Sequence, residues 1–178
     1  GKQSRKNFYP YFKSRGIDLY TQYAFHRHFY LATKHREDGA TYTNLSFPLT
    51  CPKATERLWD LKNEDVPVWT GAAATKAKPQ GAIQARDCGL PSPARTSLTS
   101  AKHIYWFESA YDAMAYYQLH QAQNKDLRKA VFISTGGAPS QQQFIGAIKA
   151  TPHASHHLCF DHDRAGQVYA IHFALTHA

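Results

Sequence analysis

Cysteine is scarce in this 178-residue chain: Cys51, Cys88 and Cys159 are the only three, and none forms a CxxC pair. An odd number without paired spacing argues against a disulfide framework or a cysteine zinc site, and suits a reducing, cytoplasmic setting. Long apolar runs are absent as well, so no segment reads as a membrane span, and no signal-peptide pattern opens the chain. Acidic residues are few, 13 Asp/Glu against 21 Lys/Arg, for a net charge of +8. Residues 1–100 hold 15 Lys/Arg and 8 Asp/Glu, a balance of +7, while residues 101–178 hold 6 and 5, a balance of +1. A basic lobe beside a near-neutral lobe with clustered acids suggests a polyanion partner, although surplus lysine also serves solubility. The hydrophobic fraction of 43% is enough for a packed core, and the length fits one α/β domain or a small domain with an appendage.

The first hundred residues read as a small basic α+β lobe with a linker. Between Asn7 and Arg15, the aromatics Phe8, Tyr9, Tyr11 and Phe12 mix with the cations Lys6, Lys13 and Arg15. That pattern describes either an amphipathic helix docked through its aromatics or a surface on which bases stack while cations hold phosphates. Asp18 is placed to N-cap a helix running to about His28. Phe29–Thr33 and Thr41–Leu49 read as a hairpin around Asp38-Gly39. Leu58–Leu61 and Val66–Thr70 repeat the design, so a small antiparallel sheet is expected here. Lys76 and Lys78 sit in a small-residue stretch, Gly71–Gly81, able to drape over phosphates but lacking a P-loop signature. Residues 90–100 are rich in proline and serine, as linkers are.

From residue 101 the pattern becomes regular. Ile104–Phe107, Ala130–Ser134 and His157–Phe160 are short apolar runs without alternation, as expected of parallel strands buried on both faces. Helical stretches follow each. The first buries Ala110, Ala113, Met114 and Tyr117, the second Phe144, Ile145 and Ile148. The third, after Gly166, buries Val168, Ile171, His172 and Leu175. Such alternation predicts a parallel sheet with right-handed crossovers, whose ligands gather beyond the carboxyl ends of the strands.

Those strand ends carry the chemistry. The first ends in Glu108, the second in Ser134-Thr135-Gly136-Gly137, and the third in Asp161-His162-Asp163-Arg164-Ala165-Gly166. Residues two apart on an extended backbone point the same way, so Asp161 and Asp163 can aim at one point. Paired carboxylates repel unless a cation sits between them, and a hard divalent ion is the usual one. Each residue also has a plainer reading. Ser109-x-x-Asp112 and Ser140-x-x-Gln143 fit capping boxes, Gly136 and Gly137 fit a tight turn, and the acids before Gly166 can cap a helix. His153, His156 and His157, before the third strand, read less well as a zinc site.

With these motifs in place the chain resembles a Toprim domain, closest to the bacterial-type primase branch and primase-like proteins of plasmids and mobile elements. Ile104–Asp112 matches the family's strand ending in Glu. Val131–Ala138 matches its glycine-containing second strand, and Phe160–Gly166 its Asp-x-Asp-x-x-Gly element. More weakly, Tyr11–Asp18 and Asn44–Leu49 resemble the segment that precedes Toprim in such proteins. The resemblance implies a Rossmann-like βαβαβα sheet over 101–178, ending short of the family's further strand, after a basic lobe over 1–100. It implies Mg²⁺ or Mn²⁺ held by Asp161 and Asp163, with Glu108 as ligand or general acid/base. Asp112, Gly136, Gly137, Arg164 and Gly166 would support the site; apart from the resemblance, the basic stretches offer Arg15, Lys76 and Lys78 as phosphate contacts. The implied activity is primase-like nucleotidyl transfer on single-stranded DNA with nucleoside triphosphates. A helicase or mobilisation proteins would be reached through domains this stretch lacks. The alternatives are a metal-dependent nuclease and a non-catalytic DNA-binding module. Ser109 stands where the family usually has glycine, and no zinc ribbon is present.

Overall fold

The computed structural model describes residues 2–3, 11–47, 49–50, 68–72, 83–84 and 101–178. The expectations for Leu58–Leu61, Lys76, Lys78 and the linker at 90–100 fall outside the described residues.

A five-stranded sheet organises the fold. Its parallel centre consists of β7 (His103–Phe107), β8 (Val131–Ser134) and β9 (Ser155–Leu158), with β7 between the other two. Phe107 lies beside Ser134 on one side, and Trp106 lies beside Leu158 on the other. Odd-numbered residues of β7 face one layer and even-numbered ones the other, because successive side chains on a strand alternate. Tyr105 and Phe107, with Phe132 of β8, meet α2 (Ala110–His120), whose Ala113, Met114 and Tyr117 are buried as the periodicity predicts. Ile104, Trp106, Val131 and Ile133 meet α3 (Gln141–Ala150) and α4 (Arg164–His177) through Phe144, Ala147 and Phe173. This is the three-layer α/β/α arrangement that the unalternated apolar runs require.

The N-terminal segment completes the first layer. A helical turn at 11–14 and α1 (Leu19–Ala24) bring Phe12, Ile17, Phe25 and Phe29 against Tyr117 and Phe132. Asp18 caps α1, its carboxylate accepting the Thr21 amide at 2.8 Å. The helix stops at Ala24 rather than near His28; turns carry the chain on from there, and Phe25 and Phe29 both enter the core. Gln118 of α2 locks the approach, donating to the Gly16 carbonyl at 2.9 Å and accepting the Asp18 amide at 2.8 Å. Gly16 has φ +72°, a conformation that favours glycine.

The hairpin is present as β2 (Tyr30–His35) paired antiparallel with β3 (Thr41–Ser46) around Gly39 at φ +82°. The second expected hairpin is corrected. Val68–Ala72 forms β5, which adds antiparallel to β8 and pairs outward with β4 (Leu49–Thr50). It therefore extends the central sheet instead of closing a separate one. A two-stranded pair, β1 (Lys2–Gln3) and β6 (Ile83–Gln84), stands apart. No helix among the described residues is long and apolar enough to cross a membrane.

Two further corrections concern the third βα unit. β9 ends at Leu158, two residues earlier than expected, because β7 ends at Phe107 and offers no further partner beyond the Cys159 amide bond to the Trp106 carbonyl. α4 begins at Arg164 and buries Gly166 and Phe173, with Tyr169 and Ala170 half-buried. Val168, Ile171, His172 and Leu175 face solvent instead. Aromatic Phe173, wedged against Trp106 and Phe144 with ring centroids at 5.4 and 5.1 Å, decides the rotation.

The histidines of β9 are structural. Trp106 donates its indole N–H to His156 Nδ1 at 3.0 Å, leaving Nε2 to meet the Thr151 hydroxyl at 3.4 Å. Thr151 donates in turn to the Ala147 carbonyl. Burial first, then the neighbouring His177 and His157, lowers the His156 pKa to about 4. His157 stacks on Tyr105 at 4.3 Å and bonds His103 at 3.0 Å.

Candidate functional site

The carboxyl ends of β7, β8 and β9 form one rim. Glu108 follows β7 directly and is half-buried, where a carboxylate needs a partner. The partner is the backbone of Asp161, whose N–H donates to Glu108 Oε2 at 2.8 Å. The glycine loop after β8 is tied to the same residue: the Gly137 N–H donates to the Glu108 carbonyl at 2.8 Å. One residue earlier, the Thr135 N–H donates to the Phe107 carbonyl at 3.0 Å, and its hydroxyl donates to the Gly137 carbonyl at 2.7 Å. Gly136 and Gly137 have φ +72° and +122°, so the turn needs glycine at both positions.

Asp161 and Asp163 lie in the bend between β9 and α4, not on a strand, so the expectation that an extended backbone aligns them is corrected. The helix start fixes their backbone instead. Asp163 caps α4, its Oδ1 accepting the Gly166 amide at 2.7 Å. Gly166 in turn lets the chain fold back on itself: a Cβ there would stand 1.9 Å from the Asp161 carbonyl oxygen. The spacing Asp-x-Asp-x-x-Gly thus has a mechanical meaning. The cap sets the helix, and the bare glycine lets Asp161 pack over its first turn and reach Glu108.

The electrostatics of Glu108 register both aspartates. Burial raises the Glu108 pKa above the ordinary carboxylate value, the Asp161 amide bond opposes the rise, and the Asp161 and Asp163 charges add to it. Asp161 and Asp163 are exposed. As placed, no three His, Cys, Asp or Glu side chains among the described residues stand close enough together to hold a metal ion. The donor chemistry nonetheless fits one: three carboxylates supply only hard oxygen, and their mutual repulsion is what a hard cation relieves.

The supporting residues divide. Asp112 is exposed in the first turn of α2, where its amide donates to the hydroxyl oxygen of the N-cap Ser109 at 3.1 Å. Arg164 is exposed at the start of α4. Arg15 lies away in sequence but near in space, its guanidinium 4.7 Å from the centre of the Tyr111 ring, three residues after Glu108. Tyr111 is packed edge-on by Phe12 and Phe47. Tyr111 and Thr135, which the sequence places in these motifs without a role of their own, are the ring under Arg15 and the hydroxyl that closes the glycine turn. Burial pushes the Cys159 thiol up to about 11, so little of it is thiolate at neutral pH.

Residues 105–176 match a family model described as Toprim-like, and the chain carries a Toprim-like domain over that span. No curated protein matches the chain, and no solved structure does.

Proposed function

We propose that the chain is the core of a primase-like nucleotidyltransferase acting on single-stranded DNA in the replication or transfer of a mobile element. The observation that supports it best is the union of Glu108 and Asp161 through one backbone hydrogen bond, with Asp163 beside them, inside a Toprim-like segment. Glu108, Asp161 and Asp163 would hold Mg²⁺ or Mn²⁺, which when bound supplies charge neutralisation at the attacking hydroxyl and the departing pyrophosphate. Glu108, with its raised pKa, is suited to exchange a proton as the site fills. The Gly136-Gly137 turn keeps side chains away from the rim, so a phosphate can approach the backbone. Arg15, with its guanidinium over the Tyr111 ring, is a pre-positioned cation for the template backbone. Lys76 and Lys78 belong to the same basic lobe and would add phosphate contacts.

A priming assay with single-stranded template, labelled nucleoside triphosphates and Mg²⁺ or Mn²⁺ tests this reading. Polymer growth that is abolished by Asp161→Asn and by Glu108→Gln, with the fold retained, is the expected result. An Asp161→Asn variant that primes normally overturns it. Loss of the template strand in place of growth identifies a nuclease using the same acids. DNA binding that falls steeply with salt but ignores Mg²⁺ and EDTA, with no product, identifies a non-catalytic binding module.

A further inference from the structure

Beyond the end of β8, hydrogen bonds rather than packing hold the chain. Gly136 and Gly137 are exposed, and among the described residues nothing lies within 4 Å of where a Cβ would stand at either one. Successive glycines are also the freest pair a backbone can have. The Gly136 N–H donates to Ser134 Oγ at 3.2 Å, a bond that stays within the turn. The bonds of Thr135 lead out of it. Its N–H holds the Phe107 carbonyl, its hydroxyl holds the Gly137 carbonyl at 2.7 Å, and the Gly137 N–H holds the Glu108 carbonyl at 2.8 Å. Its own carbonyl accepts the Gln143 side-chain amide at 3.2 Å, which anchors Thr135 to the first turn of α3. The hydroxyl is the one side-chain group in the circuit that runs from Phe107 through Thr135 and Gly137 to Glu108. Any buried hydroxyl needs a partner, so what matters is where the bond leads. Thr151 is comparably buried, 4% exposed against 8%, and its hydroxyl donates to the Ala147 carbonyl at the same 2.7 Å. That bond closes the end of α3, before β9 begins and at the far end of that strand from the acidic rim.

We propose that Thr135 is a positioning residue for Glu108: its hydroxyl sets the glycine turn that grips the Glu108 main chain, and so aims the carboxylate at Asp161 and at a divalent cation. The proposal rests on the reading of Glu108, Asp161 and Asp163 as one metal centre. Glu108 stands between the end of β7 and the Ser109 cap of α2, and the Gly137 N–H supplies the bond that a ladder or a helix would otherwise give its carbonyl. The residue is therefore held at two points, its carbonyl by Gly137 and its Oε2 by the Asp161 amide. Without the hydroxyl the turn gains other glycine conformations. The Gly137 N–H then leaves the Glu108 carbonyl for part of the time, and the bond to the Asp161 amide loosens with it. Thr135→Val keeps the shape of the side chain and removes the hydroxyl. Thr135→Ser keeps the hydroxyl and removes a methyl group.

Two readouts on the whole chain test this: hydrogen exchange at the Asp161 amide without metal, and Mn²⁺ affinity by electron paramagnetic resonance. The net worth of one hydrogen bond bounds the effect, so Thr135→Val should speed Asp161 exchange and weaken Mn²⁺ binding, each by about two- to tenfold. Thr135→Ser should restore both. Thr151→Val removes an equivalent bond and should lower Tm by a similar amount while both readouts stay at their wild-type values, which separates positioning from stability. Circular dichroism checks that the variants fold, and Thr135→Ala carries the same prediction should valine disturb the turn. Exchange and affinity that stay at wild-type values in both Thr135→Val and Thr135→Ala, or that change as much in Thr151→Val, overturn the proposal. If the wild type binds no Mn²⁺ while Asp161 exchange still rises in Thr135→Val and recovers with serine, the metal reading fails and the positioning of Glu108 stands.

Discussion

Replacing Gly166 by alanine would test the link between the helix start and the acidic rim. The added Cβ would stand 1.9 Å from the Asp161 carbonyl oxygen, 2.9 Å from its carbon and 3.2 Å from its nitrogen. Ordinary contact begins at 3.4 Å, so the Asp161 backbone must retreat by about 1.5 Å. The 2.8 Å bond from the Asp161 amide to Glu108 Oε2 cannot survive that shift. Losing a hydrogen bond to a charged group costs about 1.5–3 kcal/mol, and the overpacking adds about 1–3 kcal/mol. Alanine returns about 1 kcal/mol of helix propensity. A net loss of about 1.5–5 kcal/mol is expected, which for a chain of this size lowers Tm by roughly 3–20 °C. Gly136→Ala is the control. It also strains a positive φ, about 1–2 kcal/mol, but nothing lies within 4 Å of its Cβ, so the Asp161 amide should not move. Thermal melts and ¹H–¹⁵N spectra of both variants read the outcome. A Gly166→Ala protein as stable as wild type, with its Asp161 amide resonance unmoved, would refute the packing described for the β9–α4 bend.

Other consequences follow from the same contacts. Glu108→Gln keeps an oxygen to accept the Asp161 amide but removes one of three mutually repelling charges, so without divalent metal the variant should melt at or above the wild-type temperature; a clear drop would mean the acids do not repel. Added Mg²⁺ should stabilise wild type more than the variant. His156, whose folded pKa of about 4 lies below its ordinary value of 6.5, binds its proton more readily when unfolded. Its contribution is therefore fully present above pH 6.5 and lost as pH falls toward 4, by on the order of 1–2 kcal/mol once its partial exposure is discounted. Trp106→Phe, which removes the indole donor to His156 Nδ1, should raise the imidazole pKa in an NMR titration, and an unchanged value would contradict the tautomer assigned from the hydrogen bonds.

What could be read from the chain alone follows from where the local signals were strong. Ile104–Phe107 and Val131–Ser134 are buried on both faces, and their unbroken apolar runs name them as central parallel strands. Glu108, Asp161 and Asp163 could be placed at strand ends because the βαβ pattern leaves few topologies. β9 was harder, since its start is Ser155-His156-His157, and those histidines become interior groups only through Trp106 and Tyr105. β5 could not be assigned to the central sheet because its pairing with β8 spans some sixty residues and leaves no local mark. The orientation of α4 was misjudged because its aliphatic stripe and its Phe173 side compete as buried faces, and periodicity alone does not choose between them. The caps were legible but double in meaning: Asp163 both closes a helix and stands in the rim, so the plainer and the functional reading hold together.

The most direct measurement is paramagnetic broadening of backbone amide resonances on titration with Mn²⁺. If the three carboxylates share a cation, broadening begins at residues 107–109, 136–137 and 161–166, is displaced by Mg²⁺, and disappears in Asp161→Asn. Broadening that begins instead at His103, His156 and His157, or that touches Asp161 and Asp163 but spares Glu108, would contradict a common metal centre at this edge of the sheet.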